Sequence, residues 1–369
     1  MEQINENLLG LNLSSNSENS QERDGHKEEQ EFMCGEAAND LHTACTFCSK
    51  DPDHSKFIPI DNFTIEHIPE ESRRPDIYKI VKAIADLTVK ISVSKLSPNR
   101  PKYWLNTDQL YPRFTGTGTG LMSEVFYFYR GLDEFKFRHE KDYTQCWCTK
   151  CQGSSSASLE WWEFIVYTAT HVVFDEEEAN NTAFRLFFDT QESPKVYLEF
   201  ATVVDANAKT DMCILRGVTC DRNLGHKLKN LWSDYSFLME MFQFEYSEAS
   251  RDRDKLTFVV SHPHGRAKHV TVGHWQEKED VKALMKFKYN TNTCPGSSGA
   301  MVFCLGYSWG SWYNQFVHSG CLNAELNHSA LGGVYVDKEY RNTADEERMK
   351  LQECKELCCA LAGSSHVFF

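Results

Sequence analysis

Apolar positions along the 369-residue chain recur with two different periods, and the change between them divides it. In PDIYKIVKAIADLTVKISV (75–93) they fall at Ile77, Ile80, Val81, Ile84 and Leu87, the spacing of one helix face. Pro75 suits the first helical position, where a missing N–H costs nothing, and Asp76 favours the positive end of the helix dipole. From about Tyr103 short runs rich in β-branched and aromatic residues take over, separated by turn residues. They are LMSEVFYFY (121–129), WWEFIVYTATHVVF (161–174), AFRLFFD (183–189), KVYLEFATVV (195–204), DMCILRG (211–217), LTFVVSH (256–262) and AMVFCLG (300–306). Strands at this density predict an all-β sandwich or barrel. TADEERMKLQECKELCCALAG (343–363) returns to helical spacing and is expected to dock on the body as a C-terminal helix. The expected division is a disordered tail over 1–32, rich in Glu, Asn, Ser and Gln, and a Cys/His-bearing and helical extension over 33–102. A β domain over 103–340 and a helical tail over 341–369 follow.

Composition narrows the function. Hydrophobic content of 41% and aromatic content of 13% fit a packed body. A net charge of −14 argues against a general role on nucleic acid or anionic membranes. No apolar run reaches the roughly 18 residues of a membrane span. The N-terminus lacks a basic stretch followed by an apolar one, so a cytoplasmic or nuclear chain is expected rather than a secreted one. The fourteen cysteines then read as thiols, some with a metal, and the sequons at Asn12, Asn62, Asn180 and Asn327 as silent.

Candidate chemistry centres on CPGSSGA (294–300). A serine hydroxyl becomes a useful nucleophile only when a base removes its proton, and that base needs an orienting carboxylate. His171 ends TATH, where a strand leaves the core, and Asp211 opens the apolar run DMCIL. The order His171, Asp211, Ser298 has gaps of 40 and 87 residues. Asp205, in a more polar loop, is the rival for the acidic role.

TATH (168–171), DMCIL (211–215) and CPGSSGA (294–300) together resemble the three motifs of the trypsin/chymotrypsin-like serine protease clan. FTGTGTGLM (114–122) and VVSHPHGRAKHVTVG (259–273) are similar to segments of its intracellular, HtrA-like members. GTGTG is not a phosphate loop, since it lacks the lysine and following helix. The resemblance spans about residues 103–337 and implies two antiparallel six-stranded β-barrels. It implies a serine-type endopeptidase acting on protein or peptide substrates through an acyl-enzyme, with no cofactor. Ser298 would attack, His171 carry the proton and Asp211 orient it, while Gly296 and Ser298 supply oxyanion N–H groups. Asn292, His318, Ser319 and Gly320 would line the specificity pocket. His318 is similar to pocket histidines that select Gln or Glu, and equally fits a structural role. Ser297 stands where secreted relatives carry an aspartate that orders this loop, so other contacts, or substrate, must order it here. Cys294 and Cys321 match a secreted-family disulfide, with thiols expected instead; Cys304 has no evident partner. The competing reading is an inactive barrel serving as a protein-binding module.

Two cysteine clusters stand apart. CWCTKC supplies Cys146, Cys148 and Cys151, and Cys45-x-x-Cys48 lies near Cys34, His42 and His54. Thiolates and imidazoles suit zinc, but neither cluster completes four ligands in sequence. Cys354, Cys358 and Cys359 fit packing on the C-terminal helix.

Overall fold

The helix predicted from Pro75 ends at Leu87, and the chain runs on as strand β1, Thr88–Val93, rather than as helix to residue 93. TVKISV places β-branched residues at 88, 89, 91 and 93, whose stiff χ1 favours the extended chain. Their side chains are buried while Lys90 and Ser92 are only partly so. In this computed structural model the described residues are 27–28, 31–32, 48, 50–101, 116–139, 141–243, 252–281, 284–308 and 315–332. The expected C-terminal helix and Cys34, His42, Cys45, Cys354, Cys358 and Cys359 lie outside them.

The first barrel comprises β1, β2 (Gly116–Tyr129), β3 (Glu160–Thr168), β4 (Thr182–Leu186), β5 (Val196–Glu199), β6 (Ala201–Asn207) and β7 (Met212–Thr219). They pair antiparallel in the order β6-β7-β3-β2-β1-β4-β5. Only Phe200 separates β5 from β6. Its φ of 71° bends the chain, and its N–H donates to the Thr182 carbonyl at 2.9 Å. The two are one bent strand, which closes six strands into a barrel. Because β1 precedes residue 103, the barrel starts inside the stretch expected to be an extension.

The second barrel contains β8 (Leu256–Ser261), β9 (His269–Val281), β10 (Leu284–Tyr289), β11 (Val302–Cys304), β12 (His318–Cys321) and β13 (Asn327–Ser329). The order is β12-β13-β10-β9-β8-β11. A bridge between Met301 and Val317, flanked by the bonds Val302 N–H to Phe316 O and His318 N–H to Ala300 O at 2.7 Å each, closes it. The fold is therefore all-β, two antiparallel six-stranded barrels, as expected.

Between the barrels runs a helix the sequence reading did not include, Arg222–Gln243. Leu228, Tyr235, Met239 and Phe242 form its buried stripe and join Ile77, Ile80, Val81 and Ile84 of Pro75–Leu87 in one core. Val260 and Phe303 of the second barrel and Trp162 of the first belong to the same core. Each such side chain contributes about 1.5–3 kcal/mol on full burial, so this shared core fixes the barrels against each other.

Candidate active site

His171 follows β3 in a tight turn, with the Val172 and Val173 N–H groups both bonded to Ala169 O. Arg100 and Glu178, neither foreseen from sequence, hold that turn. Arg100 Nη2 donates to Glu178 Oε2 at 2.7 Å and to the His171 carbonyl at 3.1 Å. Glu178 is fully buried and also accepts from the Ser97 and Phe174 N–H groups. Removing the guanidinium would strand a buried carboxylate, which keeps the clamp closed.

Asp211 opens β7 at φ 55°, a left-handed conformation that aspartate tolerates better than most residues. Its carboxylate accepts from His171 Nδ1 at 2.9 Å, from the His171 backbone N–H at 3.1 Å and from Ser319 Oγ at 2.5 Å. The carboxylate thus fixes the proton on Nδ1 and leaves Nε2 as the basic nitrogen. Asp205, the rival, is exposed on β6 and opposite Ile214; the bond to His171 belongs to Asp211.

Ser298 lies at the junction of the barrels and is fully buried. Its carbonyl accepts from Thr119 N–H of β2 at 2.8 Å, and the next residue, Gly299, donates to His318 O at 2.8 Å. A Cβ at Gly118 would come within 2.6 Å of Val172 and 3.0 Å of the Ser298 carbonyl. The residue after His171 and the backbone of Ser298 therefore flank the same glycine. Thr119 Oγ1 donates to Gly296 O at 2.8 Å and accepts from His262 N–H at 3.0 Å, linking the serine loop, β2 and the β8–β9 turn. Ser297 Oγ meets Ser261 Oγ at 3.0 Å. Burial beside Lys268 holds His262 neutral, with its Nδ1 on the Arg266 carbonyl.

The other expected pocket residues separate. His318 is buried on β12 with Nδ1 2.6 Å from the Tyr289 hydroxyl. Ser319 engages Asp211. Gly320 and Cys321 pair antiparallel with Glu28 and Lys27, while Glu31 and Phe32 pair with Thr117 and Gly116 of β2. Backbone from the expected disordered tail thus pairs with a strand of each barrel. The Asn292 amide donates to Asp51 at 2.8 Å, engaging it with the segment around residue 51. Cys294, Cys304 and Cys321 are in no disulfide among the described residues, and Cys294 neighbours Cys48.

Cys146, Cys148 and Cys151 gather with Cys220, and Cys48 with His54, His264 and Cys294. In each quartet the ligand atoms all lie within 4.8 Å of one another, a spacing suited to a metal ion. Cys146, Cys148 and Cys151 pack with Trp147 and Trp161, whose indoles both donate to the buried Glu163 carboxylate, which also meets His139 Nε2 at 2.9 Å.

A chymotrypsin-like double barrel with a His–Asp pair and a serine loop where the barrels meet is the class this geometry defines. No family model matches the chain, and no curated protein matches it in sequence. Among solved structures it is similar to the Rv3671c protease of M. tuberculosis H37Rv in an inactive form. That similarity has 15% identity, covers 72% of this chain and 93% of that one, and has a TM-score of 0.34. It is also similar to the HtrA-type protease AlgW with a tripeptide, at 11% identity over 70% of this chain and 60% of that one, with a TM-score of 0.36. Similarity at this level transfers no property of those proteins. Among the described residues no helix is long and apolar enough to cross a membrane.

Proposed function

We propose that this chain is a serine endopeptidase. The observation that carries the reading is the Asp211 carboxylate on His171 Nδ1 at 2.9 Å, beside the loop that presents Ser298. His171 Nε2 takes the Ser298 proton as Oγ bonds to the peptide carbonyl carbon. The N–H groups of Gly296 and Ser298 receive the oxyanion. His171 then gives its proton to the departing amine as the C–N bond breaks. Water, deprotonated by the same imidazole, hydrolyses the ester and restores Ser298.

The edge of β12 that Lys27–Glu28 covers in this structure supplies the peptide site. An extended chain adds to such an edge through main-chain bonds, as Lys27–Glu28 does here. His318, oriented by Tyr289, selects a Glu or Gln side chain on the acyl side of the scissile bond by donating a hydrogen bond. Cys146, Cys148, Cys151 and Cys220 form a closed structural zinc site in the first barrel. Among the described residues no two cysteines are joined in a disulfide, which supports a reducing compartment.

A peptide mixture incubated with the purified chain and sequenced by mass spectrometry tests the reading. New termini after Glu or Gln are expected with the wild type and none with Ser298→Ala. Cleavage by both proteins would place the activity elsewhere. Tight peptide binding without cleavage by either would favour a binding module.

A further inference from the structure

Four side chains that the proposed chemistry leaves unused meet beside the Ser298 loop. Cys48 Sγ lies 3.7 Å from Cys294 Sγ, and His54 Nε2 lies 3.2 Å from His264 Nε2. In a tetrahedron the edge is about 1.63 times the metal–ligand distance. With Zn–S near 2.3 Å and Zn–N near 2.05 Å, the edges become about 3.8 Å and about 3.3 Å. The observed separations match both. A disulfide needs sulfurs about 2.05 Å apart, so these sulfurs are not bonded to each other. We propose that Cys48, His54, His264 and Cys294 form a zinc site that clamps the Ser298 loop in its working shape.

The donor set fits this metal and this role. Two thiolates neutralise the dication, two imidazoles complete a closed site, and no position is left for water or substrate. His54 and Cys294 are fully buried, and Phe57 packs against both cysteines. Hydrogen bonds hold the donors from the N-terminal side in place without the metal. Lys50 Nζ donates to Thr293 Oγ1 at 2.8 Å and to Asn327 Oδ1 at 2.7 Å. The Asp51 carboxylate accepts from Asn292 Nδ2 at 2.8 Å and from His54 N–H at 3.1 Å. Such outer contacts orient ligands before the metal binds. Both histidines take left-handed backbone conformations, φ 49° and 51°, which cost about 1 kcal/mol each and persist where their surroundings hold them.

The position of the quartet gives it a role. Cys294 opens the loop and its carbonyl accepts Ser297 N–H at 2.9 Å. His264 N–H donates to Pro295 O at 2.6 Å. Gly296 is seated on the same turn: a Cβ there would come within 2.9 Å of the His264 and Gly265 nitrogens. A metal joining His264 to Cys294 restrains residues 295–297 from both sides, while Cys48 and His54 anchor them to the N-terminal segment. This supplies the ordering contact that the serine at 297 does not. The clamping role rests on reading Ser298 as the nucleophile; the metal site does not.

Zinc in the purified full-length chain, measured by plasma mass spectrometry and by X-ray absorption at the zinc edge, decides it. His54→Ala is expected to lose one zinc per chain relative to wild type. Its labelling by a fluorophosphonate probe should slow about 10²-fold, the usual effect of a misplaced catalytic group. The wild-type absorption spectrum should show nitrogen near 2.0 Å as well as sulfur near 2.3 Å. Equal zinc in both proteins, or sulfur alone around zinc, would overturn the site. Loss of one zinc with unchanged labelling would overturn the clamp. If His54→Ala does not fold, the wild-type spectrum alone decides the site. If wild type is never labelled, the nucleophile reading fails while the zinc count still judges the metal.

Discussion

Asp211→Asn is expected to slow fluorophosphonate labelling roughly 10³–10⁴-fold while the chain stays folded. An amide in place of the carboxylate can present its NH₂ to His171 Nδ1. That stabilises the tautomer with the proton on Nε2, where it cannot accept from Ser298. The carboxylate also accepts from the His171 N–H on Oδ1 and from Ser319 Oγ on Oδ2. An asparagine with its oxygen at the first position keeps the former, and the Ser319 hydroxyl can accept from the NH₂ at the second. The substitution therefore changes the proton's location more than the geometry. Labelling rates measured beside a thermal melt separate the two. A rate within about tenfold of wild type would remove Asp211 from the role and return attention to Asp205.

Gly296→Ala is the second large effect. At φ 93° an alanine is strained, and its Cβ would lie 2.6 Å from the His262 carbonyl and 2.9 Å from two backbone nitrogens. None of these atoms belongs to a flexible side chain, so the loop itself must shift. Misplacing one oxyanion donor typically costs about 10²–10³ in rate. Strain adds roughly 1–3 kcal/mol of destabilisation. Gly153 is the control, with φ 73° and nothing within 4 Å of its Cβ. Gly153→Ala should melt slightly lower and label normally. Equal behaviour of the two variants, followed by denaturant melts and labelling rates, would show that Gly296 answers only to its φ.

These effects mark what the sequence made legible. The barrels could be read because their strands alternate over short runs bounded by turns. The three candidate site residues were named from the motifs TATH, DMCIL and CPGSSGA; His171 follows β3, Asp211 precedes β7, and Ser298 lies in the loop between β10 and β11. Strand β1 was absorbed into the preceding helix because its apolar positions continue the helical series; only its β-branched content marks the change. The helix Arg222–Gln243 was missed because Leu228, Tyr235, Met239 and Phe242 are diluted by charged and polar neighbours. Thr119, Arg100 and Glu178 act through bonds that join distant segments. The quartet Cys48, His54, His264 and Cys294 was only half legible: its pairs Cys48–Cys294 and His54–His264 are 246 and 210 residues apart in sequence. Local spacing offered Cys48 and His54, but not His264 and Cys294. Topology completes it, as it adds Cys220 to Cys146, Cys148 and Cys151.

The account stands most directly on one atom, Ser298 Oγ. Reaction of the folded full-length chain with diisopropyl fluorophosphate, followed by digestion and peptide mapping, locates the activated hydroxyl. A single adduct on Ser298, absent after prior unfolding and absent from His171→Ala, is the predicted result. An adduct on Ser297 or elsewhere, or none on the folded zinc-loaded chain, would contradict it.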